Sequence, residues 1–303
     1  MPHTRPYNPA HDFEKMWRFL QQDYTQKQDN YVWHFSRLGD WQYGLWNEKK
    51  LIPSFFRKYA QVWVDAFDDI VGCVLSEDGD NIFFIFTRAG YEYLYPEILD
   101  WTLITWGERY PTLKTEVHEF QTDALEGLAR AGFRSRGVVA TTRAYDLQKP
   151  LEPAHLPPGS RIETMDANGD FYGKGLLYKD GFSNQDFVTE LDLLKFEYSR
   201  ENPAYDPAFD FVVIAPDGTH AATCAGFNDP SQRVSEVEKI CTHRQYRRQG
   251  LAEAAVRACF QKLQQRGIAR AYITGYSGEA NGLYEKLGPC GYKQWFHYER
   301  EGK

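Results

Sequence analysis

CTHRQYRRQGLAEAAV, residues 241–256, is the stretch that decides how this chain folds. The strand-like segment VEKIC (237–241) leads into it, and apolar residues recur at helical spacing from Leu251 onward. Its centre, Arg247-Arg248-Gln249-Gly250-Leu251-Ala252, fits the pattern Arg/Gln-x-x-Gly-x-Gly/Ala at a predicted strand-to-helix turn. At such a turn the first helical N–H groups have no internal partner and the helix dipole is positive, so the turn can hold a diphosphate.

The side chains of this turn suit the same purpose. Gly250 and Ala252 leave the backbone accessible, and Arg247 and Arg248 add positive charge. The alternative is an ordinary helix start with solvated arginines. The pattern alone is weak evidence, because Gln264–Ala269 also matches it at a predicted helix end, where Gly267 is a typical helix stop. The surrounding strand and helix therefore carry the prediction.

Together with the downstream segment NGLYEKLG (281–288), the stretch resembles motifs A and B of the GNAT (GCN5-related N-acetyltransferase) superfamily. The resemblance is detailed over residues 160–303 and extends to residues 1–146 only in outline. It implies acetyl-CoA as acyl-donor cosubstrate and no metal. One departure is Pro289-Cys290, which separates Gly288 from the Gly291-Tyr292 pair and leaves the end of the motif B helix open.

The resemblance also implies roles for individual residues. The strand with Ile240, Cys241 and Thr242 would pair with the pantetheine arm, and its backbone N–H groups would polarise the thioester carbonyl. An acyl-Cys241 intermediate is disfavoured, since such enzymes transfer acetyl directly and nothing nearby marks the thiol as activated. The residues expected to bind the coenzyme are Ile240, Cys241, Thr242, Arg247, Arg248, Gln249, Gly250, Leu251, Ala252, Asn281 and Tyr284.

Direct transfer requires a neutral amine, so a base or a water chain must remove a proton from the acceptor. Glu236 and Glu238 are the candidate bases because they share one face of the strand before Arg247–Ala252, the predicted diphosphate-binding turn, which we call the phosphate turn. They are alternatively carboxylates on a solvated strand face. Tyr284 is the candidate proton donor to the CoA thiolate, or else an aromatic packed beside Leu283 and Leu287. Asn281 is expected to contact the CoA arm or to cap its helix.

The chain divides at LQKPLEPAHLPPGS (147–160), a proline-rich segment interpreted as a linker. The halves repeat one order of elements, with helices expected over 12–24 and 184–200, then a hairpin, a third strand, a helix, a strand, a short helix and a last strand. We therefore expect an α/β protein of two tandem GNAT-like domains (1–146 and 161–303), each a mixed, mostly antiparallel twisted sheet flanked by helices. Two unrelated α/β domains are the alternative.

The first half lacks the diphosphate pattern at the equivalent place. Its loop TRAGYEYLYPEIL (87–99) has tyrosines that would crowd a phosphate, and Glu92 would repel one. We expect a degenerate copy without CoA binding, which shapes the acceptor pocket or the domain interface.

Composition narrows the remaining classes. The formal net charge of −7 argues against nucleic-acid binding and tilts the acceptor toward cationic amines. The five cysteines form no CxxC pair, so a zinc site and a disulfide framework are not indicated. MPHTRPYNPAHDFEKMW at the start lacks a signal-peptide core, and no apolar run of membrane-spanning length occurs, so we expect a cytoplasmic protein without membrane attachment. The oligomeric state is left open.

The sequence thus predicts an enzyme that transfers the acetyl group of acetyl-CoA directly to an amine, with a small molecule favoured over a protein. The rival is a non-catalytic module that binds CoA esters as a sensor or uses the fold for association.

Overall fold

A computed structural model describes residues 2–302 of the chain. By internal contacts these form two units. Unit 1 runs up to Thr141 and includes the residues from Lys293 onward, and unit 2 is Thr142–Tyr292. The final strand therefore contributes most of its residues to unit 1, whereas we expected it to stay with residues 161–303. The cause is strand pairing, because this strand runs antiparallel to residues 112–118.

Within the described residues, unit 1 combines five helices with a sheet. The helices are α1 (Pro9–Lys27), α2 (Phe35–Tyr43), α3 (Phe55–Tyr59), α4 (Tyr95–Gly107) and α5 (Thr122–Arg130). The strands are β1 (His3–Pro6), β2 (Ala60–Val64), β3 (Ile70–Leu75), β4 (Ile82–Thr87), β5 (Thr112–His118), the first part of β6 (Arg134–Asp146) and most of β12 (Gly291–Glu301). Helices α1 and α4 both contact β3. Every residue of β2 and β3 is buried, as expected of strands covered on both faces.

Unit 2 repeats the arrangement. Its strands are the end of β6, β7 (Arg161–Thr164), β8 (Asp210–Ile214), β9 (His220–Asp229), β10 (Val234–Thr242) and β11 (Arg270–Gly275). Its helices are α6 (Met165–Asn168), α7 (Phe171–Ser183), α8 (Glu190–Ser199), α9 (Leu251–Gln265) and α10 (Gly278–Lys286). In unit 2 the strand order is β6-β11-β10-β9-β8-β7, and in unit 1 it is β1-β2-β3-β4-β5-β12.

Both sheets are mixed and mostly antiparallel, which confirms the predicted fold class. Strand β4 pairs with β5 in parallel in unit 1, and β10 pairs with β11 in parallel in unit 2. Helix α9 covers one face of the unit 2 sheet through Leu251, Ala255, Cys259 and Leu263, the residues whose spacing predicted the helix. On the other face, Leu177 of α7 packs against Val212 and Ile214.

Helix α7 was missed by the sequence analysis, which expected a helix over 184–200. That region holds the shorter α8, whose start is fixed by a Thr189–Asp192 capping box. Three glycines lower the helix propensity of α7, yet they serve its packing. A Cβ at Gly181 would lie 2.8 Å from the Sγ of Cys241, so the glycine permits close approach to β10.

The segment 147–160 contains no helix or strand, but it belongs to unit 2 by its contacts. Leu147 is fully buried in the core of this unit, and its backbone N–H donates to the carbonyl of Ala269 at 2.9 Å. The segment thus runs along unit 2 as an ordered strap. No helix within residues 2–302 has both the length and the apolar character needed to cross a membrane.

Candidate functional site

The centre of unit 2 is a fork between β10 and β11. The two strands pair in parallel only at Val234–Glu236 with Arg270–Tyr272. Beyond Glu236, β10 continues to Thr242 and β11 to Gly275 with no further pairs between them. The register of β10 against β9 shifts between Glu238 and Cys241, and Lys239 has a φ of +53°. This bulge bends β10 away from its neighbour and leaves an open strand edge.

The turn after β10 lies at the mouth of this fork and ends in the start of α9. Gly250 is the N-cap residue with a φ of +79°, and no side chain caps the helix there. Arg248, with a φ of +67°, is also left-handed, and Arg247, Arg248, Gln249 and Gly250 are exposed. A Cβ at Gly250 would meet no atom within 4 Å. The start of α9 therefore has an exposed, uncapped glycine with free space beside it, as a diphosphate site requires.

Leu251 and Ala252 complete the turn in different ways. Leu251 is buried in the core and anchors the helix, whereas Ala252 is half-buried in the first helical turn. The guanidinium of Arg247 donates to the carbonyls of Thr242 at 3.3 Å and Gly181 at 3.5 Å. Arg247 thus ties the turn to β10 and α7 while remaining exposed.

Asp180, next to Gly181 on α7, holds the residues that lead into this turn. Its carboxylate is almost fully buried and accepts from the backbone N–H of Arg244 at 2.6 Å. The guanidinium of Arg244 lies 2.8 Å from the same carboxylate, and the ring of His243 lies 3.7 Å away. A buried carboxylate with these partners fixes the approach to the phosphate turn.

Glu236 and Glu238 occupy different environments although they share a strand face. Glu236 is buried with 7% exposure and belongs to the last parallel pair, opposite Tyr272. Glu238 is half-buried on the part of β10 that has left β11. Only Glu238 therefore lies beyond the fork point.

The residues expected to pair with the pantetheine arm lie at the end of β10, after Glu238. Ile240 is half-buried against the core of unit 2, Cys241 is buried with 8% exposure, and Thr242 is half-buried. Burial raises the pKa of the Cys241 thiol to about 12. A thiol in this environment is a poor nucleophile.

Tyr284 reaches the fork from α10. It is 6% exposed, and a Cβ at Gly275, the last residue of β11, would lie 3.1 Å from its Cδ2 atom. Burial raises the pKa of Tyr284, and the negative charge of Glu238 raises it further, so the phenol stays protonated at neutral pH.

Asn281 does not cap α10, which corrects one of the two roles considered for it. The cap is Ser277, whose side chain accepts from the N–H of Ala280. The Oδ1 atom of Asn281 instead accepts from Arg143 at 2.8 Å. Helix α10 ends at Lys286, and the Pro289-Cys290 insertion lies after Gly288, which has a φ of +73°.

Arg143 and Asp180 are buried residues of the candidate site that sequence reasoning missed. Arg143 lies on β6 with 7% exposure, and it also contacts Glu285 at 3.0 Å. It thereby holds α10 at two successive turns. Neither residue belongs to a motif, and both act across long sequence separations, so no local signal marks them.

The corresponding turn of unit 1 contains an acidic side chain. The carboxylate of Glu92 accepts from the N–H of Gly90 at 2.8 Å, so an acidic group lies where a phosphate would have to bind. Tyr95 is buried at the start of α4 and Tyr93 is exposed. Within residues 2–302, no group of three His, Cys, Asp or Glu side chains is placed to hold a metal ion.

Comparison with known proteins agrees with this geometry. Residues 177–288 match the model of the Acetyltransferase (GNAT) family. No curated protein matches the chain in sequence. A GCN5-related N-acetyltransferase from Sphaerobacter thermophilus is similar in structure over 100% of this chain and 96% of its own, with a TM-score of 0.64 and 17% identity.

Two further solved structures align with this chain over nearly its whole length and nearly all of their own. A tandem GNAT protein from the clavulanic acid biosynthesis pathway has a TM-score of 0.65 and 12% identity, over 100% of this chain and 99% of its own. An acetyltransferase from the GNAT family of Colwellia psychrerythraea has a TM-score of 0.59 and 11% identity, over 99% of this chain and 100% of its own. Residues 177–288 thus match the acetyltransferase (GNAT) family model, and the whole chain has the fold of solved GNAT structures, among them a tandem GNAT protein.

Proposed function

We propose that unit 2 is an N-acetyltransferase that transfers the acetyl group of acetyl-CoA directly to an amine, with a small molecule favoured over a protein as acceptor. The observation that carries the proposal is the fork between β10 and β11 next to an uncapped, left-handed turn at Gly250. An open strand edge can pair with the amides of the pantetheine arm. The helix start beside it supplies N–H donors for the diphosphate.

Glu238 is the better placed of the two candidate bases. It is half-buried beyond the fork point, where an acceptor amine can approach, whereas Glu236 is buried within the paired part of the strand. Glu238 would take a proton from the acceptor ammonium, directly or through water. The neutral amine then attacks the thioester carbonyl carbon, and backbone N–H groups near Cys241 would stabilise the oxyanion.

Tyr284 would complete the reaction. Collapse of the tetrahedral intermediate breaks the C–S bond and releases the CoA thiolate, which takes a proton from the phenol. The raised pKa of Tyr284 keeps that proton available at neutral pH. The buried, high-pKa thiol of Cys241 supports transfer without an acyl-enzyme intermediate.

The acceptor enters this proposal as an amine, and the chain's net charge of −7 favours a cationic one. Five cysteines without a disulfide support a reducing, cytoplasmic location. The rival function is a sensor that binds CoA esters without turnover, for which the same cleft would suffice.

The test is an amine panel incubated with acetyl-CoA, with release of free thiol as the readout. An enzyme releases thiol with at least one amine, and Glu238→Gln and Tyr284→Phe then lower turnover at least tenfold while the CoA dissociation constant stays within twofold. Glu279→Gln, an exposed carboxylate in the first turn of α10, is the matched control and should leave both values unchanged. Tight CoA binding without thiol release across the panel would favour the sensor.

A further inference from the structure

Unit 1 keeps a fork of its own, although it lacks the diphosphate turn. Strands β4 and β5 pair in parallel at Ile82 with Lys114 and at Phe83 with Thr115, and then part. Strand β4 continues to Thr87 and β5 to His118. The opening corresponds to the one between β10 and β11.

This second fork encloses a cleft of about 400 Å³. Such a volume lies within the range of about 300–1,000 Å³ that is typical of small-molecule sites. Apolar side chains supply much of its lining: Phe19, Val32, Ile85, Phe86, Tyr95 and Phe120. The cleft therefore suits an organic ligand with an aliphatic or aromatic body.

The polar residues around the cleft select the charge of that ligand. Asp23 and Lys27 neutralise each other at 2.6 Å, and the Asp23 carboxylate also accepts from the N–H of Val32 at 3.2 Å. Glu92 and Asp123 line the cleft as well, and neither forms an ion pair with a side chain among residues 2–302. The helix dipole makes Asp123 favourable at the start of α5 but leaves its charge at the cleft.

We propose that this cleft of unit 1 binds a small organic amine with an apolar body, and that the ligand is not CoA. Two carboxylates attract an ammonium group and repel a diphosphate. The Gly90 N–H, which could otherwise bind an anion, already donates to Glu92. The proposal does not depend on acetyl transfer by unit 2.

The test uses the full-length protein without CoA and three probes with the same phenylbutyl body. Calorimetry with 4-phenylbutylamine, 4-phenylbutan-1-ol and 5-phenylpentanoate should give the tightest binding for the amine. We expect the alcohol to bind more weakly and the carboxylate at least tenfold more weakly than the amine. Equal binding of the amine and the carboxylate, or no binding of the amine, would overturn the proposal.

Variants locate the site. Thr87→Trp fills the cleft from β4 and should abolish amine binding. Glu92→Gln should weaken it about two- to fivefold, the effect of one partly exposed charge pair, while Glu126→Gln, an exposed carboxylate on α5 that does not line the cleft, should not. If Thr87→Trp fails to fold, the Glu92→Gln/Asp123→Asn double variant tests the site instead, and it should lose amine binding. Binding that survives removal of both carboxylates, or that is unaffected by a folded Thr87→Trp protein, contradicts the assignment.

Discussion

Replacing Gly250 with alanine tests the phosphate turn with an internal control in the same helix. Gly250 begins α9 with a φ of +79°, and Gly267 follows its end with a φ of +78°. A Cβ at either position would meet no protein atom within 4 Å. The two substitutions therefore differ only in what lies outside the protein at each end of the helix.

Backbone strain should be the same in both variants. A residue with a side chain in the left-handed region costs about 1–2 kcal/mol relative to glycine. Gly250→Ala and Gly267→Ala should thus lower the free energy of unfolding by similar amounts, seen as similar decreases in thermal midpoint.

The affinity for CoA, in contrast, should fall in Gly250→Ala and stay unchanged in Gly267→Ala. In Gly250→Ala the methyl group would stand beside the N–H groups that we propose bind the diphosphate, and relief of the strain would turn those groups away. Loss of one hydrogen bond to a charged group corresponds to about 1.5–3 kcal/mol, which raises the dissociation constant about 10- to 150-fold. Gly267→Ala should bind CoA as the unchanged protein does, although Gly267 belongs to the second match of the same sequence pattern.

Isothermal titration with CoA and with acetyl-CoA measures both constants. The reasoning is refuted if Gly250→Ala binds CoA normally, or if both variants lose affinity to the same extent.

Three other expectations follow from the site. Asp180→Asn should raise the KM for acetyl-CoA about tenfold with little change in kcat, because it loosens the Arg244 backbone contact rather than the reacting groups; an equal fall in kcat would argue against a positioning role. The pKa of Tyr284 is raised above the ordinary tyrosine value of about 10, so its phenol should stay protonated from pH 7 up to that value. The pH–rate profile should therefore show no fall from loss of this proton in that range, and a descending limb near pH 8 would contradict this. Cys241, with a pKa of about 12, should be alkylated by iodoacetamide at pH 8 about a thousandfold more slowly than a thiol of ordinary pKa near 8.5, whereas exposed Cys290 should react first; rapid modification of Cys241, followed by mass spectrometry, would be inconsistent with its burial.

Local patterns were sufficient to predict the elements around the phosphate turn. Helix α9 shows its apolar spacing at Leu251, Ala255, Cys259 and Leu263, and the hairpin of β8 and β9 is marked by Pro216-Asp217-Gly218. These elements are determined by residues close together in the chain, so they can be predicted from one sequence.

The features that could not be predicted from the sequence depend on contacts between residues far apart in the chain. Helix α7 forms despite three glycines because Gly175 and Gly181 let it approach Phe196 and Cys241 closely. Arg143 reaches Asn281 across 138 residues of sequence, and the last strand pairs with β5 of unit 1. The bulge at Lys239, which opens the fork, likewise leaves no mark in local composition.

A crystal structure of the full-length protein with acetyl-CoA tests the central claim most directly. The account predicts that diphosphate oxygens accept hydrogen bonds from the amides at the start of α9, around Gly250 and Ala252, and that the pantetheine arm lies against β10 beyond Glu236. Coenzyme bound elsewhere in a well-ordered crystal, with the helix start and the fork both empty, would contradict it.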